Sequence, residues 1–124
     1  LQEHLNFPAA VFLNGEVGSG KTTLVREFLK TWEGQAVDSP SYNIFYETPQ
    51  SLHADFYRLK RDHELYEIDF FSSMEGKRLA LIEWGRDYQE LIATECENFK
   101  LYALDILQHQ ATHREYILRT LNLT

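Results

Sequence analysis

One octapeptide limits the possible folds more than any other part of the chain. Gly15-Glu16-Val17-Gly18-Ser19-Gly20-Lys21-Thr22 fits GxxxxGK(S/T), a loop that cradles phosphate between a buried strand and a helix. The flanking sequence supplies both partners. Ala9-Ala10-Val11-Phe12-Leu13 reads as a short buried strand, and Leu24, Val25, Phe28, Leu29 and Trp32 recur at helical spacing from Lys21 onward. Such a loop must bring backbone N–H groups against phosphate oxygens, which side chains at Gly15, Gly18 and Gly20 would obstruct. The helix beginning near Lys21 turns its positive dipole end to the same anion. Lys21 is expected to reach the β- and γ-phosphates, and the Thr22 hydroxyl to sit on Mg²⁺. The fold expected is a P-loop-type α/β domain, with a mostly parallel central sheet, some antiparallel strands and flanking helices.

With 124 residues, 44% of them hydrophobic, the chain is read as a single domain, 1–124, with a real core. No apolar run approaches the roughly 20 residues of a membrane span. Leu1 is not an initiator, so further N-terminal sequence is expected to precede it. Cys96 is the single cysteine, which excludes an intrachain disulfide and fits a reducing cytoplasm. The net charge of −7 argues against independent grip on RNA or DNA, which calls for a basic face.

In chain order, Leu1 to Phe7 reads as the end of an amphipathic helix stopped by Pro8, and the helix after the loop ends near Gly34. Tyr42 to Tyr46 and Leu52 to Tyr57 read as a strand hairpin about the turn Thr48-Pro49-Gln50-Ser51. Asp62 to Phe71, with Leu65, Ile68 and Phe71 three apart, predicts one helix. Leu79 to Ile82 is a continuous apolar run with the pattern of a central strand, and Asp87 to Ala93 predicts a short helix. Phe99 to Leu107 and Glu115 to Leu121 read as two late strands around a polar turn at Gln108 to Thr112.

Hydrolysis needs a carboxylate for Mg²⁺ and an oriented water besides the phosphate cradle. Glu83, at the carboxyl end of the predicted central strand, is the candidate for the metal; a solvent-facing glutamate is the bland alternative. Asp55 either positions the water or lies just outside the metal's coordination sphere, or it simply pairs with Arg58. Ser39-Pro40-Ser41-Tyr42 is either a switch loop that touches γ-phosphate or Mg²⁺, or an ordinary serine-capped turn. Arg58, Arg86 and Arg114 are candidates to counter phosphoryl charge, a role most surface arginines lack. Trp84 and Tyr88 read as packing residues in preference to base-stacking ones. His109 and His113 are four apart but fall in a predicted turn without an HExxH glutamate, so no zinc site is read there.

Four segments then align in order: Gly15 to Thr23, Ser39 to Tyr42, Asp55-Phe56-Tyr57-Arg58 and Leu81-Ile82-Glu83-Trp84. Together they resemble the TsaE (YjeE) family of bacterial ATPases, with its G-(D/E)-x-G-(A/S)-G-K-T-T, S-P-T-(F/Y), D-x-Y-R and I-E-W motifs. The resemblance runs from about Ala9 to Trp84 and more loosely to the C-terminus. It implies an ATP- and Mg²⁺-dependent role in making N6-threonylcarbamoyladenosine at position 37 of tRNAs that read ANN codons. The resemblance further implies a switch acting with TsaB and TsaD, expected to be weakly active alone and to meet tRNA through that complex. Carried over, Gly15, Glu16, Val17, Gly18, Ser19, Gly20, Lys21, Thr22 and Thr23 form the nucleotide loop. By the same resemblance Thr22 and Glu83 would form the metal pair, Asp55 would be the second functional carboxylate, and Ser39 to Tyr42 would be the switch. Trp84 would report on nucleotide or partner contacts, and Arg114 loosely matches a late-strand arginine near the nucleotide. Ser41 replaces the family threonine and keeps the hydroxyl. By this resemblance the family's N-terminal strand and first helix are expected to be mostly missing from this sequence, which leaves adenine contacts unassigned.

Two other classes compete with this reading. A small-molecule kinase on the same fold would carry an arginine-rich lid, and only Arg86 follows Glu83 closely. A nucleotide-sensing module without turnover would not need the carboxylates Asp55 and Glu83. A GTPase is disfavoured because no N-K-x-D segment occurs.

Overall fold

The computed structural model describes residues 2–15, 21–34, 43–110 and 113–122, with backbone only for Gln2, Lys21, Thr22, His109 and Gln110. A 3-10 turn at Gln2–His4 precedes β1 (Ala9–Asn14) and α1 (Lys21–Glu33). Then come β2 (Phe45–Glu47), β3 (Ser51–Asp55), α2 (His63–Glu67), α3 (Phe70–Met74) and β4 (Leu79–Glu83). A 3-10 turn at Arg86–Tyr88 leads into α4 (Gln89–Glu95), followed by β5 (Lys100–Gln110) and β6 (His113–Thr120).

The strands form one six-stranded sheet in the order β2-β3-β4-β1-β5-β6. Its inner strands are parallel: β3 to β4, β4 to β1, and β1 to β5. The edges are antiparallel, β2 on β3 and β6 on β5. This is the P-loop-type α/β sheet expected from the sequence, and the uninterrupted apolar runs of β1 and β4 are explained by burial on both faces.

Period-two alternation sorts the core into two layers. On one face, Val11, Leu13, Leu79, Leu81, Leu104 and Ile106 pack against Val25 and Leu29 of α1. On the other, Phe12, Leu52, Ala54, Ile82 and Leu101 pack against Leu65, Phe70, Met74, Tyr88 and Ile92. α1 ends where expected: Gly34 takes φ 78° and its N–H donates to the Lys30 carbonyl at 2.9 Å, a left-handed helix stop.

Three predicted elements change. The helix read over 62–71 is two short helices, broken at Asp69, whose φ of 57° is left-handed. In an unbroken helix Leu65 and Phe70 would lie about 140° apart around the axis, and the break lets both become buried with Met74. The late turn read over 108–112 is mostly strand, since β5 reaches Gln110 and β6 starts at His113, with an irregularity between Gln108 and Gln110. Backbone pairing satisfies N–H and C=O groups there whatever the side chains, so polar residues did not stop the ladder. The N-terminal stretch forms only a 3-10 turn, after which Leu5 enters the core and Phe7 lies 4.9 Å from the Trp32 ring.

Candidate functional site

The site is set by strand register. Leu13 of β1 is level with Glu83 of β4, and Glu83 is level with Asp55 of β3. One residue on, Asn14 is level with Asp105 of β5. All four strands run the same way, so Asn14, Asp55, Glu83 and Asp105 line the carboxyl edge of the sheet, and Gly15 leaves β1 there. Ligands of open α/β sheets bind outside this edge.

The face is set by alternation. Glu83 follows Leu79 and Leu81 on the side covered by α1. The far end of α1 is anchored at the opposite edge, where Glu33 Oε1 accepts the Ser51 hydroxyl at 2.7 Å and the Thr48 hydroxyl at 2.6 Å. The helix therefore runs antiparallel to the strands, and its first turn, Lys21 and Thr22, heads toward the edge that holds Glu83. An acidic side chain, the start of the loop and a helix N-terminus thus converge at one end and on one face of the sheet.

Glu83 is not the solvent-facing strand end of the bland reading; it is 2% exposed. Its Oε2 lies 2.7 Å from Nε2 of His53, which is 1% exposed. A carboxylate only accepts, so the imidazole N–H donates. His53 is level with Leu81 and on the same face, so its ring reaches diagonally forward to Glu83. Sequence reasoning missed this residue. The signal was present: Ser51, His53 and Asp55 alternate with apolar Leu52 and Ala54, which puts the three polar residues on one face. Alternation alone does not say what covers that face; α1 does, and both Ser51 and His53 are buried.

Asp55, half-buried, accepts the Tyr57 N–H on Oδ1 at 3.0 Å, which bends the chain after β3. The Phe56 N–H donates to the Glu83 carbonyl at 3.0 Å and ties this bend to the end of β4. Trp84 then takes φ 57°, a conformation a bulky residue rarely adopts. A Cβ at the next residue, Gly85, would lie 2.6 Å from Ile82 Cγ2 and 2.8 Å from Phe12, so the turn can press onto the core only with glycine there. Tyr88 packs in that core against Phe56, as expected. Trp84 does not: it is exposed and edge-on to exposed Tyr57, ring centres 5.1 Å apart.

On the opposite face, Asp105 accepts Asn14 Nδ2 at 3.0 Å and Arg119 Nε at 3.0 Å. Burial pushes its carboxyl up, but the hydrogen bonds from Arg119 and Asn14 and the charges of Arg119 and Arg86 outweigh this and hold it below the usual range. Arg114 is exposed on β6, level with Gln108, on the two-stranded arm that continues past the carboxyl edge. Thr23 is exposed on the first turn of α1. Cys96 is buried, and desolvation pushes its thiol up to about 11, in keeping with an inert residue. Among the described residues no group of three His, Cys, Asp or Glu is arranged as a metal cluster.

Glu16 to Gly20, Ser39 to Tyr42 with Ser41, and the side chains of Lys21, Thr22 and His109 lie outside the described residues. Of the expected site, Gly15, Asp55 and Glu83 are brought to one edge. The carboxylate oxygens suit a hard cation such as Mg²⁺, which takes one or two carboxylates together with phosphate oxygens and water.

Comparison with known proteins bears on the family and the fold. The chain is 38% identical over 101 residues to the tRNA threonylcarbamoyladenosine biosynthesis protein TsaE of Rickettsia bellii, covering 77% of this chain and 69% of that one. The protein of the same name in Haemophilus influenzae is 33% identical over 97 residues, 74% of this chain and 61% of that one. The crystal structure of Bacillus subtilis YdiB superposes with a TM-score of 0.59 at 20% identity, over 93% of this chain and 70% of that one, and supports the fold. The family model described as threonylcarbamoyl adenosine biosynthesis protein TsaE matches residues 1–116, and the chain belongs to the TsaE family.

Proposed function

We propose that this chain is a Mg²⁺-dependent ATPase of the machinery that makes N6-threonylcarbamoyladenosine at tRNA position 37. It acts as a nucleotide switch on the TsaB–TsaD complex in the cytoplasm. Family membership supports the pathway. The observation that carries the chemistry is buried Glu83, level with the residue two before the phosphate loop and on the face where α1 begins.

Gly15 to Thr23 would wrap the phosphates with backbone N–H groups, and Lys21 would add its charge at the β- and γ-phosphates. Thr22 and Glu83 are the residues that would hold Mg²⁺, which when bound neutralises charge on the phosphate oxygens. Asp55, one strand away from Glu83, would orient the attacking water. The Ser41 hydroxyl and Arg114 would add contacts to the nucleotide. The stretch after Glu83 folds as a 3-10 turn and α4 with Tyr88 and Ile92 buried in the core, which is no basis for a kinase lid.

The test is ATP hydrolysis with TsaB, TsaD and tRNA present. Glu83→Ala is expected to lower turnover at least tenfold while ATP still binds. Equal turnover by variant and parent defeats the assignment of Glu83.

A further inference from the structure

We propose that His53 is a positioning residue for Glu83, fixing the rotamer in which the carboxylate meets the Mg²⁺ of the nucleotide. The inference rests on the reading of Glu83 as a metal-holding residue. It starts from a contact which that reading does not need: His53 Nε2 lies 2.7 Å from Glu83 Oε2, with both side chains almost wholly buried.

Three features make this more than a satisfied core histidine. A glutamate has three side-chain torsions, and the last of them is intrinsically broad, so a hydrogen-bond partner is needed to define it. The His53 N–H on Oε2 restrains that torsion and so helps to aim the carboxylate. The donor sits on the next strand, level with Leu81, two residues behind Glu83, so the ring approaches from the core side and leaves the carboxyl edge clear of imidazole. The two neighbouring polar groups on β3 also have assigned partners elsewhere. The Ser51 hydroxyl donates to Glu33, and Asp55 Oδ1 accepts the Tyr57 N–H. His53 is thus the polar group of β3 that the fold aims at Glu83. Hydrogen-bonded neighbours of metal-holding side chains typically contribute 10- to 100-fold to metal affinity or activity.

The experiment measures the Mg²⁺ concentration needed to raise the melting temperature of the ATP-saturated protein, for the parent, His53→Leu, His53→Gln and Glu83→Gln. His53→Leu removes the donor, and His53→Gln keeps an N–H near the Nε2 position. The expected result is a Mg²⁺ requirement raised about tenfold by His53→Leu, largely restored by His53→Gln, with ATP affinity in chelator unchanged. An unchanged requirement in His53→Leu, alongside a raised one in Glu83→Gln, overturns the positioning role and leaves the metal reading standing. An unchanged requirement in Glu83→Gln overturns the metal reading itself. A second measurement needs no folded variant at position 53. The ring ¹⁵N resonances of His53 in the parent are expected to move when Mg²⁺ is added to protein already holding ATP; unmoved resonances overturn the proposal.

Discussion

Up to half-buried Asp55 at its end, both faces of β3 are buried, and they are held in opposite ways. Leu52 and Ala54, continued by Phe56, enter an apolar layer with Phe70, Ile82 and Tyr88. Ser51 and His53 enter the layer under α1 and carry polar atoms into it. On the first face nothing but shape and volume is required, so related apolar side chains can substitute. On the second each polar atom needs a partner, because a buried donor or acceptor without one costs its full desolvation. The partners come from distant parts of the chain, Glu33 at the end of α1 and Glu83 at the end of β4. The apolar face therefore holds the strand in place, and the polar face also ties the carboxyl edge to the helix that begins at the phosphate loop.

The comparison is broken most severely on the apolar side. Phe56 is 1% exposed and meets Phe70 and Tyr88 edge-on, with ring centres 5.1 and 5.4 Å away. Phe56→Ala is expected to cost about 3–5 kcal/mol by chemical denaturation. Phe56→Leu should cost much less, because it keeps the apolar contact and most of the volume. If the two variants cost the same, volume is not what holds this face.

The polar side gives a smaller effect that depends on pairing. Ser51→Ala removes one of two hydroxyls that donate to Glu33 Oε1, and is expected to cost about 1–2 kcal/mol. Glu33 lies at the negative end of the α1 dipole, where a carboxylate is disfavoured without such donors. The double variant Ser51→Ala, Glu33→Ala should therefore cost less than the sum of its parts. Strict additivity would mean that the hydroxyl and the carboxylate do not communicate.

These two faces also explain what could be read from sequence. β1, α1 with its glycine stop, the β2–β3 hairpin and β4 were legible because their signals are local: an apolar run, a helical stripe, a turn. The single helix over 62–71 misled because Leu65, Ile68 and Phe71 form a regular stripe, whereas tertiary packing buries Leu65, Phe70 and Met74 through the kink at Asp69. Glu83 was legible as a carboxylate ending an apolar run. His53 was not, because alternation says which residues share a face but not what covers it. Only the position of α1 turns that face from a solvated one into a buried, hydrogen-bonded one. Trp84 reads as a packing residue from sequence, but its own left-handed φ of 57°, with Gly85 letting the turn press onto the core, leaves its ring exposed.

The weakest effect is expected where a polar pair meets solvent. Arg119 donates to Asp105 from β6, but the arginine is 51% exposed, so water competes for it and salt screens it. Arg119→Ala is expected to cost under about 1 kcal/mol. Its signature is in the pH dependence. The folded-state carboxyl of Asp105 is held below its unfolded value, so its contribution is present above the ordinary carboxylate range and is lost as pH falls through the lower, folded value. Denaturation of parent and Arg119→Ala should therefore differ near pH 7 and converge in acid, with a smaller gap in high salt. A gap that stays constant down to the acid limit would show that Arg119 acts through its aliphatic packing on β5 and not through its charge, and the contrast between buried and solvated polar pairs would then need a different cause.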